Sequence, residues 1–135
     1  MQVLDPEAAA EEEHGALVAL GGLVGSVARY WLAGLVQNLA DSGFPSGTLA
    51  VNVAGSFVIG LVMALSLERG LIDDDLRILL ATGFCGGFTT MSTFSYETLF
   101  LVRDGERLLA LGNVGLTLAA CFGATWIGAV VARLL

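Results

Sequence analysis

Nearly charge-free apolar stretches alternate with short polar segments along this chain. The stretches contain only two charged residues in total, and they are Gly15–Asn38, Thr48–Leu67, Ile78–Val102 and Leu108–Ala132. Each is long enough to cross a hydrocarbon layer of about 30 Å, which takes roughly 20 helical residues. None shows the alternation of a transmembrane barrel strand or the polar stripe of a helix in a soluble bundle. The pattern therefore predicts four transmembrane helices, because a helix satisfies its own backbone in lipid.

Short connections separate the predicted helices: Leu39–Gly47, Glu68–Arg77 and Arg103–Arg107. Connections this short make successive helices antiparallel neighbours and leave no room for a soluble catalytic domain. The basic residues near the ends of the helices divide almost evenly between the two sides, with Arg69, Arg77 and Arg133 against Arg103 and Arg107. The positive-inside rule therefore barely specifies an orientation. Because four helices are few for enclosing a pathway, we expect an oligomer, and an antiparallel homodimer in particular.

Composition and charge narrow the possible functions. Of 135 residues, 56% are apolar and 14% are charged, whereas a soluble domain carries charge on about a quarter of its residues. The net charge of -7 argues against a nucleic-acid partner, which requires a basic face. Much of the acidic excess lies in residues 1–14, which we interpret as a solvated tail that ends at a surface residue, His14. Residues 15–135 form the helical domain, and no basic segment of a cleaved signal peptide precedes it.

Glycines are frequent in all the predicted helices, and most are expected to be contact points between helices. Gly21 and Gly25 form a small-xxx-small pair that lets helices approach closely. Similar glycines recur later in the chain, at Gly55, Gly60, Gly112, Gly115, Gly123 and Gly128. The segment Gly83-Phe84-Cys85-Gly86-Gly87 differs, because three glycines in five residues precede Thr89 and Thr90. This composition predicts a break of the third helix at the glycine-rich segment, where freed backbone groups line a cavity or bind a ligand.

Polar residues recur at helical spacing inside the apolar stretches. Thr48, Asn52 and Ser56 share one face of the second helix, and Asn113, Thr117 and Cys121 repeat the spacing on the fourth. The third adds hydroxyl groups after its glycines: Thr89, Thr90, Ser92, Thr93, Ser95 and Tyr96. Together these predict a ladder of hydroxyl and amide groups across the membrane, with Asn52 as its strongest element, although interhelical bonding alone is an alternative.

The two intramembrane charges, Arg29 and Glu97, are functional candidates by default, unless they pair with each other or reach the membrane surface. The chain has no HExxH, CxxC or Walker motif, and its single His cannot supply a triad or a metal cluster. Cys85 and Cys121 are expected to be small buried residues rather than ligands or a disulfide. The sequence therefore predicts that the protein is not an enzyme.

Three runs of sequence resemble the fluoride channel family, also called CrcB or Fluc. They are Gly21-Gly22-x-x-Gly25-x-x-x-Arg29-Tyr30, Gly47-Thr48-Leu49-x-Val51-Asn52-x-x-Gly55-Ser56, and Gly83-Phe84-Cys85-Gly86-Gly87-Phe88-Thr89-Thr90-Met91-Ser92-Thr93-Phe94-Ser95-x-Glu97. The resemblance extends over about residues 15–133 and excludes the acidic tail. It implies an antiparallel homodimer of four-helix subunits with two narrow fluoride pores and a central sodium ion of structural role.

The resemblance also implies roles for individual residues. Asn52 would donate its amide N–H to fluoride, and Phe94 would match the second of two pore-lining phenylalanines. Met91 stands where the family usually has the first. Gly86 and Thr89 match the positions whose backbone carbonyls hold sodium. Further matches are Ser92, Thr93, Asn113 and Thr117 on a polar track, and Arg29 and Glu97 among the family's residues in the first and third helices.

The implied function is passive, electrodiffusive export of fluoride through the cytoplasmic membrane, which lowers intracellular fluoride and its toxicity. The chief alternative is a small proton-coupled exporter of cationic drugs, which is also a four-span, dual-topology dimer. Such a carrier needs a carboxylate central in its first span, where this chain has Arg29. A second alternative is an assembly subunit that transports nothing and uses its glycines only to pack.

Overall fold

The computed structural model describes residues 5–135, and every regular element in that range is helical. The α-helices are α1 (Pro6–Ala40), α2 (Ser46–Met63), α3 (Asp74–Arg77), α4 (Gly86–Phe88), α5 (Met91–Arg103) and α6 (Arg107–Leu134). Two wider π-helical segments complete the fold: Ala64–Glu68 continues α2, and Ile78–Cys85 joins α3 to α4. The all-helical prediction is confirmed for this part of the chain.

Three continuous helices are long and apolar enough to cross a membrane: Pro6–Ala40, Ser46–Glu68 and Arg107–Leu134. Their outward faces carry large apolar side chains such as Leu20, Trp31, Phe122 and Trp126, all of them exposed. A soluble monomer rarely exposes an apolar surface of this extent, whereas lipid tails cover it at no cost.

The third predicted helix is interrupted, as the sequence indicated, but the interruption lies after the glycine-rich segment rather than in it. Gly83, Gly86 and Gly87 keep helical geometry, and the backbone becomes extended only at Thr89 and Thr90. The predicted position was wrong by a few residues because two of these glycines serve in packing. Gly83 and Gly87 lie against the backbone of α1 around Gly21 and Gly22.

Close backbone contact between α1 and the interrupted helix explains the small-xxx-small pair. A Cβ atom on Gly21 would collide with the Leu79 carbonyl oxygen, and one on Gly25 would collide with that of Phe84. Gly55, Gly60 and Gly128 are comparably close to their neighbours. By contrast, no described atom lies within 4 Å of a Cβ built on three glycines of α6: Gly112, Gly115 and Gly123. These three glycines are therefore exceptions, within one chain, to the expectation that most glycines are contacts between helices.

Helix α2 is central, since it packs against α1, α6 and the π-helical segment Ile78–Cys85. Its Val51 and the Asn113 of α6 are the largest fully buried side chains. A 3.6 Å contact between His14 and Asp75 and an ion pair between Arg133 and Glu68 bring three parts of the chain to one end of the bundle. These parts are the N-terminal portion of α1, the segment from Glu68 to α3, and the C-terminus.

The acidic N-terminal segment is helical from Pro6 onward and continues into α1 without a break at residue 14. Asp5 caps the helix by accepting a 3.2 Å hydrogen bond from the Glu7 N–H, and residues 5–13 are exposed. Residues 1–4 of the predicted tail lie outside the described residues.

Candidate functional site

The side chain of Asn52 is bonded to the backbone at the interruption. Its Nδ2 donates to the Thr90 carbonyl at 3.2 Å, and its Oδ1 accepts from the Thr90 N–H at 2.7 Å. Both residues are buried, at 8% and 7% exposure. Because a buried, unpaired peptide group is costly, these two hydrogen bonds from Asn52 of α2 stabilise the extended backbone at Thr90. An amide has two N–H donors, so one remains for another acceptor.

Opening the helix releases backbone carbonyls. In a continuous helix the Thr90 N–H would donate to the Gly86 carbonyl, but here it donates to Asn52. Among the residues that the structure describes, the Thr89 carbonyl accepts one long bond of 3.4 Å, from Arg29 Nη1 of α1. Gly86 is exposed, and no described residue approaches the position of its missing Cβ. The carbonyl oxygens of Gly86 and Thr89 are the groups here that could coordinate a hard cation, which takes oxygen ligands.

Thr90 begins α5 and organises the hydroxyl groups that follow it. Its Oγ1 accepts from the Thr93 N–H at 3.2 Å, as a helix N-cap does, and donates to Thr93 Oγ1 at 3.0 Å. Ser92 Oγ lies 3.2 Å from the same oxygen. Ser92 and Thr93 are themselves exposed at the surface of the single chain.

A groove of about 330 Å³ runs over α2, beside the interruption. We call it the central groove. Its floor is the small-residue face of α2, and its walls come from the interrupted helix and α6. The lining includes six of the residues predicted for the pore or the sodium ion: Asn52, Gly86, Thr89, Met91, Phe94 and Thr117. Phe94 is buried, whereas the Met91 side chain is 69% exposed.

Behind this groove, hydrogen bonds link α5 to α6. Asn113 Nδ2 donates to Thr98 Oγ1 at 2.9 Å, and Thr117 Oγ1 donates to Asn113 Oδ1 at 3.3 Å. Thr98 in turn donates to the Phe94 carbonyl at 2.7 Å. Asn113 is 1% exposed and lies outside the lining of the groove, so it supports Thr117 from behind. Sequence reasoning missed Thr98, although its position directly after Glu97 was the available signal.

Glu97 lies apart from the central groove, at a second cavity of about 390 Å³ that we call the mouth. Glu97 Oε1 accepts a 2.9 Å bond from Thr48 Oγ1, whereas its buried Oε2 has no hydrogen-bond partner among the described residues. The mouth is bounded by the α1–α2 connection and by α5, with lining residues Gln37, Gly43, Phe44, Pro45, Tyr96, Glu97, Phe100 and Leu101. Arg29 bonds to Thr89 and not to Glu97, so the structure does not pair the two charges.

Gln37 is a second residue that sequence reasoning missed. It is the amide near the end of the first apolar stretch, and its side chain bonds the α1–α2 connection. Cys85 is buried and Cys121 is partly exposed; both thiols are free, and both residues line the central groove. Cys85 is thus buried as predicted, whereas Cys121 is not fully buried.

A family profile described as "CrcB-like protein, Camphor Resistance (CrcB)" matches residues 16–129. The match therefore covers the central groove, the mouth and the interruption, and it begins just after the acidic N-terminal segment.

Curated relatives match over nearly their whole length. A protein of Geobacter sulfurreducens named "Fluoride-specific ion channel FluC" is 53% identical over 116 residues, which are 86% of this chain and 94% of the relative. A protein of the same name from Geobacter metallireducens is 52% identical over 116 residues, with the same coverage. Another from Geotalea uraniireducens is 48% identical over 118 residues, or 87% of this chain and 95% of the relative.

Proposed function

The chain belongs to the CrcB family, and we propose that it is a fluoride-selective ion channel that exports fluoride from the cytoplasm by passive electrodiffusion. It is a multi-pass membrane protein whose relatives bear the name of fluoride-specific ion channels. The observation that carries the mechanism is the pair of bonds between Asn52 and Thr90, which opens the third helix beside a groove lined with uncharged donors.

Fluoride holds its hydration shell tightly, so a pore must replace water with donors that are already in place. The central groove offers the remaining N–H of Asn52 and the hydroxyl of Thr117, whose 3.3 Å bond to Asn113 is long enough to be exchanged for one to the ion. The ring edge of Phe94 carries partial positive charge and can face an anion without trapping it as a full charge would. Met91 replaces a second ring edge with the weakly positive hydrogens of its methyl group. The hydroxyls of Ser92 and Thr93 extend the polar track beyond the groove.

Two antiparallel copies would enclose the pathway, because in one chain the groove stays open on one side. Gly86 and the glycines of α6, Gly112, Gly115 and Gly123, have unoccupied space where a side chain would be, which suits the close approach of a second copy. A two-fold axis near Gly86 would create two equivalent pathways. Four spans per subunit follow if the interrupted helix Asp74–Arg103 crosses the membrane as one unit.

A sodium ion fits the carbonyl oxygens that the interruption releases. One chain contributes two of them, at Gly86 and Thr89, and a symmetric pair of chains would contribute four hard oxygen ligands. When bound, the ion would supply a fixed positive charge that raises the electrostatic potential felt by an anion in the adjacent groove. Arg29 has a related role, since it anchors the Thr89 carbonyl and adds positive charge close to the interruption.

Glu97 marks the entrance to the pathway. Thr48 holds one of its carboxylate oxygens, and the mouth that Glu97 lines lies between α5 and the α1–α2 connection. No nucleotide site is required for transport. Hydrogen fluoride enters an acid-exposed cell as a neutral molecule and dissociates inside. A membrane potential that is negative inside then favours exit of the anion by about 2.3 kcal/mol per 100 mV.

Fluoride efflux from liposomes tests the proposal. Purified protein is reconstituted with internal fluoride, a potassium gradient and valinomycin set the potential, and a fluoride electrode records the efflux. Efflux that follows the potential, with chloride retained, supports the channel. Vesicles that lose fluoride no faster than protein-free ones would overturn it, and proton-coupled uptake of a lipophilic cation would favour the exporter. Crosslinking of the reconstituted protein tests the dimer separately.

A further inference from the structure

The side chain of Gln37 makes three hydrogen bonds to the segment that connects α1 to α2. Its Nε2 donates to the carbonyls of Ser42 at 3.1 Å and Phe44 at 3.0 Å, and its Oε1 accepts from the Gly47 N–H at 3.0 Å. These bonds use both N–H groups and the oxygen of the Gln37 amide. Gln37 is partly buried, and it lines the mouth together with Phe44 of the connection and Glu97 of α5.

The bond to Gly47 satisfies a group that the start of α2 leaves unpaired. The first N–H groups of a helix have no partner inside the helix, and the residue before α2 is Pro45, which has no side-chain cap. Gly47 also packs so closely against α1 that a Cβ atom there would collide with the Ala33 carbonyl oxygen. The start of α2 is thus fixed to the end of α1 by a backbone contact and by one amide.

The next residue after Gly47 is Thr48, whose hydroxyl donates a 2.9 Å hydrogen bond to the carboxylate of Glu97. A continuous chain of contacts therefore runs from Gln37 through the backbone of Gly47 to Thr48 and Glu97. A shift of the start of α2 by a few tenths of an ångström would lengthen the Thr48–Glu97 bond, because short hydrogen bonds weaken steeply with distance and angle.

We propose that Gln37 is a positioning residue for ion entry: it fixes the start of α2 so that the Thr48 hydroxyl donates to the Glu97 carboxylate and screens part of the negative charge that an entering anion meets at the mouth. This inference rests on the proposed channel function. Gln37 itself touches no ion in this scheme, and its effect on fluoride passage is transmitted through Thr48.

A double-mutant cycle in the efflux assay tests this coupling. Q37M keeps the length of the side chain and removes all three bonds, and T48V removes the hydroxyl that reaches Glu97. We expect each change to slow efflux per mole of reconstituted protein by at least about twofold, the lower end of the range for loss of one hydrogen bond. The double variant Q37M/T48V should be no slower than T48V, because the second change breaks a bond that the first has already weakened. N38L removes the amide of the exposed neighbour and should leave efflux unchanged.

The outcomes separate the inference from the function on which it rests. Wild-type protein that passes no fluoride overturns both. If the wild-type protein passes fluoride but the losses are independent, so that the double variant is slowed by the product of the Q37M and T48V factors, the role of Gln37 alone is overturned. If Q37M does not fold, Q37E replaces it, since its carboxylate still accepts from Gly47. T48V should then slow efflux in the Q37E background by the same factor as in the wild type, and the absence of any effect would contradict the proposal.

Discussion

The Asn52 amide and the Thr90 backbone form two hydrogen bonds across 38 residues of sequence, one in each direction, at 3.2 and 2.7 Å. The pair joins α2 to the interruption between α4 and α5. Asparagine suits this position because a single side chain must accept from one backbone group and donate to another, and an amide does both. Its second N–H stays available to the central groove, so the same residue stabilises the fold and can offer a donor to the ion in the proposed pathway.

Replacing Asn52 by Asp should abolish most fluoride efflux. The carboxylate can still accept from the Thr90 N–H, but it cannot donate to the Thr90 carbonyl, and it places a negative charge beside the pathway of an anion. We expect efflux to fall by about tenfold or more, which corresponds to a barrier increase of about 1.4 kcal/mol. Efflux is measured per mole of reconstituted protein. Asn38→Asp, the same change at an exposed site, is the control. Wild-type efflux from Asn52→Asp would remove this residue from the pathway.

Replacing Thr90 by Val should destabilise the protein. Valine retains the shape of threonine but loses the cap on the Thr93 N–H and the bond to the Thr93 hydroxyl. Loss of an N-cap costs about 1 kcal/mol of stability. The melting temperature in detergent should therefore fall relative to the wild type, whereas Thr82→Val, at an exposed position, should not lower it. Equal melting temperatures for the two variants would show that Thr90 does not act as a cap.

Sequence patterns were sufficient to predict the helical fold and the interruption, because both follow from local composition. Apolar length fixed the helices, and the threonines after Gly87 have little helix propensity. The position of the break was not predictable from propensity. It depends on Asn52, which is distant in sequence and supplies the bonds that an extended Thr90 needs.

Sequence alone singled out those candidate residues whose polar or charged side chains are costly to place in lipid, namely Asn52, Arg29 and Glu97. Residues that act through their neighbours were missed, since Gln37 and Thr98 are unremarkable in composition and matter only through the contacts of the folded chain. The glycines of α6 are a case in which the sequence pattern is clear but the contact is absent from the single chain. Their pattern indicates close packing, but the surface that would use it is exposed in one chain.

Replacing Gly25 by Ala should destabilise the contact between α1 and the interrupted helix. The new methyl group would collide with the Phe84 carbonyl, which is backbone and cannot rotate away. Overpacking of this kind costs about 1–3 kcal/mol. Gly34→Ala is a matched control on the same helix, because no described residue lies within 4 Å of its added methyl group. Unfolding in detergent compares the two variants, and a Gly25→Ala protein as stable as Gly34→Ala would contradict the close contact.

Replacing Met91 by Phe should leave fluoride efflux near or above the wild-type rate. Met91 lines the central groove, and its side chain is 69% exposed in the single chain, so a ring can be accommodated there. The ring edge would add a second site of partial positive charge next to that of Phe94. The efflux assay measures the rate, and gel filtration shows whether the variant keeps the oligomeric state of the wild type. A folded dimer that passes no fluoride would mean that methionine has reshaped the groove in this chain.

Removing sodium should weaken the proposed dimer. Its expected ligands at Gly86 and Thr89 are backbone carbonyls, so no side-chain substitution can delete them and the ion itself must be replaced. N-methyl-D-glucamine is a cation too large for a site formed by carbonyl oxygens. Exchanging sodium for it at constant ionic strength keeps the screening of surface charges unchanged. We expect the fraction of dimer to fall in crosslinking and gel filtration, and restored sodium to recover it. A dimer fraction that does not depend on sodium would show that the released carbonyls are satisfied in some other way.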